Sequence, residues 1–393
     1  MRIATIVLSA FLALYVAVLG CSIGAKNGYL YDEKGQLALT DYISLWGAGR
    51  LATEGQAAAA YDWDKHDAAQ AKGLGRPLPN LSPVAYPPTF LLVVAPFASL
   101  PYLPSLLLWT LSTLAAYAAV NGWIIGRPAG AIWMSATTAT VICFWLGQNG
   151  LLSAALLGAG LLLAPTRPLL AGVALGLLSY KPHMGLLIPF ALAAAGMWRT
   201  LLSAAVTAVL FALASLAVFG VDAWTAAFDG MARFSQFMLH TYPTPERLQT
   251  LFGALRTLGA PVGLALSLQS VLAVAAIMLV AVVWRSAAPY RLKAALLAAC
   301  LVLPTPYLFV YDMTLLTIAQ AFLIAHILPQ EPDRPDIYGI AAANVAVTLA
   351  ISGTFPMAVL AAPALLVAIL WRLWPVLAGQ RADVSGSARS ATA

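Results

Sequence analysis

Apolar runs long enough, or nearly long enough, to cross a bilayer follow one another almost to the end of this chain. About 20 consecutive apolar residues make one transmembrane helix. Inside hydrocarbon every backbone N–H and C=O must be satisfied within the segment, which leaves helices as the way to build such runs. Hydrophobic residues make up 61% of the 393 and charged residues 9%, where a soluble domain carries about 25% charged residues. The expected fold is an all-α polytopic membrane protein of about 10–13 helices. It would form one membrane domain over residues 1–378, with a Ser/Ala-rich, disordered cytoplasmic tail over 379–393.

The first run, 3–22, follows Arg2 and ends at Cys21 in a sequence that loosely resembles a lipoprotein cleavage box. Leu19 is a poor fit to the small residue such a box needs, so an uncleaved first helix is expected. Further runs lie at 84–100, 104–125, 129–146, 150–164, 169–180, 184–198, 201–219, 259–284, 294–310, 313–328, 337–352 and 357–374. Cys21, Cys143 and Cys300 are far apart and suggest neither a disulfide framework nor a metal cage. The net charge of +6 reads as a topology signal, with no nucleic acid implied.

Cations in the short loops set that topology. Arg127, Arg167, Arg199, Arg285, Arg291, Lys293 and Arg372 are expected on the cytoplasmic side. The long loops 23–85 and 221–250 then lie outside. The runs 129–164 and 169–198 become outward-pointing hairpins, with tips at Gly147-Gln148-Asn149 and Lys181-Pro182-His183. Several arms are short for a full span and are expected to be tilted, or broken where backbone lines a cavity. The odd number of runs requires one segment, within 84–125 for example, to be re-entrant or to merge with a neighbour.

Chemistry needs polar groups near these tips. The first loop gathers seven of the 15 acidic residues: Asp32, Glu33, Asp41, Glu54, Asp62, Asp64 and Asp67. Within it, Tyr42, Trp46 and Gly49 share one face of an amphipathic helix suited to the membrane interface. Thr40 or Asp41 would cap that helix, and a carboxylate held there could equally serve chemistry. The Asp62-Trp63-Asp64 triplet has the form of a metal–nucleotide motif. The chain has neither a nucleotide-binding domain nor a Gly-rich phosphate loop, so acidic capping of a short helix through Lys65, His66 and Asp67 is the better reading.

Tyr86-Pro87-Pro88 opens a helix. Lys181 lies between two apolar arms, where it either snorkels or needs a cavity or an anion. His183 stands next to it. The amides of Gln148 and Asn149 form a polar turn able to bind hydroxyls. Asp312, after Tyr307 and Tyr311, is an intramembrane acid that could pair with Lys181 or an arginine.

Taken in order, D-Y-x-x-x-W-x-A/G-x-R-L, Tyr-Asp, Y-P-P, G-Q-N, K-P and a late P-T-P-Y…Y-D resemble the polyprenyl-phosphate-dependent glycosyltransferases of family 87. This family was once a domain of unknown function and belongs to the GT-C membrane transferases. The resemblance covers roughly residues 35–320. It implies a GT-C-type bundle whose long first periplasmic loop carries an interfacial helix. It implies Asp41 as general base, and Tyr86, Gln148 and Lys181 lining the donor pocket, with Lys181 near the lipid phosphate. His183 joins these as a donor-side candidate, and Asn149, Tyr311 and Asp312 as supporting ones. One departure stands out: many members carry His-Tyr where this chain has Tyr311-Asp312.

The resemblance further implies a polyprenyl-phosphate sugar donor, a lipid or glycan acceptor, membrane lipids as surroundings, and a site on the outer face of a bacterial cell membrane. Neither cofactor nor metal is expected, since Lys181 and neighbouring donors can neutralise the phosphate. The sequence sets no oligomeric state. A flippase or transporter of lipid-linked sugars is the alternative. It would use the same cavity and lysine, but it would not need a carboxylate on a loop helix, and the paired halves common in transporters are not visible. A structural membrane subunit is a third reading.

Overall fold

A computed structural model of the chain describes residues 40–78 and 82–378. The expected first helix, the start of the first loop and the tail lie outside the described residues. Among the described residues sixteen α-helices follow one another. In the first loop, α1 (Tyr42–Thr53) leads through a 3-10 turn at Ala57–Tyr61 to α2 (Trp63–Leu74). Then come α3 (Thr89–Ala98), α4 (Tyr102–Ile125), α5 (Pro128–Ser135), α6 (Thr138–Leu146), α7 (Gly150–Leu163), α8 (Pro168–Leu177) and α9 (Ile188–Ala194). The long α10 (Trp198–Gln236), short α11 (Leu251–Thr257), α12 (Val262–Arg285), α13 (Tyr290–Cys300), α14 (Thr314–Ile327), α15 (Arg334–Leu349) and α16 (Ala361–Leu377) complete the order.

Among the described residues six helical segments are long and apolar enough to cross a membrane: α4, α10, α12, the segment ending in α14, α15 and α16 with their terminal turns. The pair α5 and α6, bent by 70°, would make a seventh. Four shorter apolar helical segments, Thr89–Ala98, Gly150–Leu163, Pro168–Tyr180 and Pro182–Ala194, account for much of the difference from the 10–13 spans expected. They stop at polar or proline-bearing tips. A ten-residue helix such as α3 is about 15 Å long, half the thickness of a hydrocarbon core of about 30 Å.

The core is built around α14, which is buried along nearly its whole length and packs on α13, α7 and α4. The outward faces of α10 and α12 are apolar and exposed, through Leu202, Val206, Val209, Leu213, Val271, Val274 and Met278. Such ridges would be an aggregation hazard in water and suit a lipid surface.

Two expectations are corrected at this level. The loop helix α1 is not one-sided: Tyr42, Ile43, Leu45, Trp46, Gly47, Ala48, Gly49, Leu51 and Ala52 are all buried. It is wedged between α3 on one flank and α2 with the 3-10 turn on the other. Its small residues allow close approach from several directions, so the Tyr42/Trp46 face is not its sole packing face. The stretch 221–250 is not an open loop. Gly220, at φ 78° and ψ 174°, takes a conformation only glycine adopts readily. It kinks α10 so that its second half turns over the first loop, with Ala223 and Ala227 packed against Ala57, Ala60 and Tyr61.

Candidate active site

The two hairpin tips meet, and the loop helix closes on them. Gly147 ends α6 at φ 68°. A Cβ there would lie 2.6 Å from the Tyr42 Cβ, so α1 docks directly on the tip. The carbonyl of Gly147 accepts from the Trp109 indole N–H at 3.0 Å. The Tyr42 hydroxyl bonds the Ser105 hydroxyl at 2.6 Å, and Thr40 bonds the Tyr102 hydroxyl at 2.8 Å. The start of α1 is thus tied to α4 and to the α6–α7 tip.

These ties set the direction of Asp41. The residue holds helical backbone angles (φ −63°, ψ −19°), and its carboxylate makes no capping hydrogen bond. Thr40 is committed to Tyr102. Neither residue caps the helix as expected, because the backbone at Asp41 already has helical geometry, whereas a cap residue usually has extended geometry. The Asp41 Oδ2 instead accepts from Gln148 Nε2 at 3.1 Å. Burial raises the Asp41 pKa above its ordinary 3.8, while the Gln148 hydrogen bond and the Arg247 charge pull against that rise.

A second hydrogen-bonded group adjoins the first through the backbone. Lys181 Nζ donates to Asn149 Oδ1 at 3.0 Å and to Asp312 Oδ1 at 2.6 Å. Asp312 Oδ2 accepts from the Phe309 backbone N–H at 3.1 Å. Lys181 is 2% exposed and Asp312 3%, so the lysine is inside the protein and does not snorkel. The rings of Tyr86 and Tyr311 each lie 5.8 Å from the ammonium, within cation–π range. An ammonium has three donors, and two are engaged here.

Two polar atoms in this cluster have no partner. Gln148 Oε1 and Asn149 Nδ2 are both buried and make no hydrogen bond of ordinary geometry, with the Tyr86 hydroxyl close to the Asn149 amide. Native proteins leave few such groups unsatisfied, and each costs about 1–3 kcal/mol when unpaired. An acceptor and a donor left open side by side, between a carboxylate and an ammonium, suit a ligand rich in hydroxyl and phosphoryl groups.

The structure therefore brings together Asp41, Gln148, Asn149, Lys181, Asp312, Tyr86 and Tyr311. His183 is partly exposed, with its ring 6.4 Å from that of Tyr307; it stands two residues after Lys181 and outside the hydrogen-bonded chain. Asp62 and Asp64 behave as helix-start residues. The Asp62 carboxylate accepts from the backbone of Asp64 and Lys65 at 3.1 and 3.2 Å, which, with the nearby Lys65 charge, lowers its pKa. Among the described residues no group of three His, Cys, Asp or Glu side chains converges as a metal site would require.

Residues that the sequence did not single out also shape the site. Phe309 supplies the backbone donor that orients Asp312, and its ring stacks on Tyr311 at 5.4 Å. Arg247 stands in the turn that precedes α11. That turn is tied to the 306–308 backbone by Gln249 N–H to Leu308 O at 2.7 Å and Thr250 to Pro306 O at 2.7 Å. Arg247 has no local sequence pattern to distinguish it; only the tertiary fold carries its charge toward Asp41.

No curated protein and no solved structure matches the chain. A family profile does: Glycosyltransferase family 87, over residues 85–308. The match contains Tyr86, the Gln148–Asn149 tip, Lys181 and Arg247; Asp41 lies upstream of it and Asp312 just beyond. It spans more than half of the chain, and this protein therefore belongs to glycosyltransferase family 87.

Proposed function

We propose that the protein is a GT-C-type transferase that moves a hexose or pentose from a polyprenyl-phosphate donor to a hydroxyl of an envelope lipid or glycan, on the outer side of a bacterial cell membrane. Family membership supports glycosyl transfer in general. The observation that carries the finer reading is the Asp41 carboxylate: it is not spent on its helix, it is partly desolvated, and it stands one amide from the Lys181 cluster.

In this reading the acceptor hydroxyl attacks the anomeric carbon. Its proton passes to Asp41, the bond from the anomeric carbon to the phosphate oxygen breaks, and the phosphate leaves with the electron pair. A single displacement inverts the anomeric centre. Gln148 holds the Asp41 carboxylate toward the acceptor. The third N–H of Lys181 and the open Nδ2 of Asn149 donate to the departing phosphate, which is stabilisation at the place where charge develops. Asp312 keeps Lys181 extended into the cluster. It also offsets the lysine charge, so hydrogen bonding and the nearby Arg247 must supply part of what the phosphate needs.

The test is transfer by purified wild type and Asp41→Asn from a set of polyprenyl-phosphate sugars to envelope lipids. Loss of a general base lowers the rate by about 10²–10⁴-fold. Transfer by Asp41→Asn at the wild-type rate would remove Asp41 from this role. Translocation of the lipid-linked sugar across the bilayer, with no transfer, would establish the transporter instead.

A further inference from the structure

Outside the Asp41–Lys181 cluster, one charged cleft remains unused by the proposed chemistry. It has a volume of about 330 Å³ and lies between residues 58–65 of the first loop and the second half of α10. Asp62, Lys65, Asp229 and Arg233 line it, two acids and two bases, so its formal charge balances. Asp62 and Lys65 pair with each other at 3.6 Å, whereas Asp229 and Arg233, one helical turn apart on α10, are not bridged. The Arg233 guanidinium lies 4.0 Å from the centroid of the Trp63 ring. Stacking of this kind fixes the plane of the guanidinium and leaves its edge donors open. Tyr61 also lines the cleft, and its buried hydroxyl has no protein partner.

From Trp63 a line of rings leads back to the lysine. Trp63 meets Phe237 at 5.9 Å, Phe237 meets Tyr242 at 5.9 Å, Tyr242 meets Phe309 at 6.2 Å, and Phe309 meets Tyr311 beside Lys181. All five rings are partly exposed, which separates them from the closed aromatic packing of Tyr42, Phe90 and Trp109 beneath α1.

We infer that this cleft and the ring strip hold the saccharide part of a glycan acceptor, several sugar units away from the one that receives the new residue. The inference rests on the transferase reading for its place in the reaction. The chemistry of the cleft selects the ligand class. A phosphate-rich ligand would favour a net positive cleft, and an isoprenoid chain would gain nothing from four ionic side chains. A neutral polyol with an apolar ring face matches the Asp229 carboxylate, a held guanidinium and amphipathic rings. The strip is longer than one sugar ring, so a monosaccharide acceptor would not reach the cleft.

The experiment uses the full chain in lipid nanodiscs. Octyl monosaccharide and octyl tetrasaccharide of one sugar are compared as acceptors, and binding of each is followed by saturation-transfer NMR on the Asp41→Asn protein. In the otherwise native chain, Trp63→Ala and Arg233→Ala are expected to raise KM for the tetrasaccharide at least tenfold, with kcat and the monosaccharide KM within twofold of wild type. On the Asp41→Asn background, the same substitutions should weaken tetrasaccharide binding by the same factor. Equal effects on both acceptors, undiminished tetrasaccharide binding in both variants, or displacement of the sugar signal by geranyl phosphate would overturn the inference. Tetrasaccharide binding that needs Trp63 and Arg233 but is followed by no transfer in wild type would uphold the saccharide site and sink the transferase reading.

Discussion

A carboxylate at the start of a helix ordinarily spends its lone pairs on the N–H groups of the first turn. Asp62 does so, and Asp41 does not. The difference lies in the backbone: extended at Asp62 (φ −85°, ψ 114°), helical at Asp41. A side chain freed in this way and buried against Gln148 has its pKa raised chiefly by desolvation. In its proposed role as a base it works when deprotonated, so kcat/KM should rise with pH along an acidic limb that lies above the ordinary carboxylate value of 3.8. Asp41→Asn should remove that limb from the residual activity, which is expected to fall by about 10²–10⁴-fold. Because a raised folded-state pKa means that ionisation opposes folding once pH exceeds 3.8, the same change should leave thermal stability at neutral pH equal or slightly higher. Gln148→Ala removes a hydrogen bond that favours the charged form. A net hydrogen bond is worth about 1 kcal/mol, so the limb should move up by about half to one pH unit. A limb that stays in place in Gln148→Ala would show that the carboxylate being titrated is not Asp41.

At the scale of elements, the site depends on two close contacts between pieces that are distant in sequence. The first is α1 against the α6–α7 tip. Gly147→Ala would place a Cβ 2.6 Å from Tyr42 in a left-handed backbone. The conformation alone costs about 1–2 kcal/mol, and Tyr42 must also move, carrying Asp41 away from Gln148. Gly55→Ala is the control: φ is +74° there, with nothing within 4 Å of the new Cβ. Both variants should lose stability in thermal denaturation, while only Gly147→Ala should lose transfer. The second contact is the Lys181–Asp312 pair. Removing one partner from a buried pair costs about 3–5 kcal/mol, and Asp312→Ala should show a loss of that order. Lys181→Met combined with Asp312→Leu should recover most of the stability, because an apolar replacement of a buried pair is often neutral or better. It should recover none of the transfer if the free N–H of Lys181 serves the phosphate. These two contacts also mark how far the sequence could be read. Lys181 and Asp312 were each legible as costly intramembrane charges, and their pairing was among the readings open. The phase of α1 placed Tyr42 and Trp46 together correctly, but it could not show the burial of the other faces. That burial depends on α2 and α3 fitting against Gly47, Gly49 and Ala52, which is a property of shape more than of hydrophobic period.

For the whole molecule, helix count was the least legible quantity, because an apolar run does not reveal where it turns back. The runs around Lys181 and Gln148 count among the apolar runs but are too short for full spans, and they fold as short or bent arms, as their length suggests. The charge pattern predicts more than the helix count does. Arg285, Arg291 and Lys293 cluster where α12 passes to α13, and Lys293 is held there by the carbonyls of Trp284 and Ser286 at 3.1 and 2.6 Å. Arg372 pairs with Asp336 between α15 and α16. The cleft is built by the two long loops, and the Asp41 cluster joins Asp41 of the first loop to the Gln148 and Lys181 tips. If short-loop cations mark the cytoplasmic side, Gln56 and Ala287 lie on opposite sides of the membrane, and both are exposed. The native thiols Cys143 and Cys300 are buried, so with Cys21→Ser as background a new cysteine reports cleanly. In intact spheroplasts a membrane-impermeant maleimide should label Gln56→Cys and leave Ala287→Cys unlabelled until the membrane is broken. The reverse pattern would put the Asp41 site on the cytoplasmic face, and with it a donor sugar presented from inside the cell.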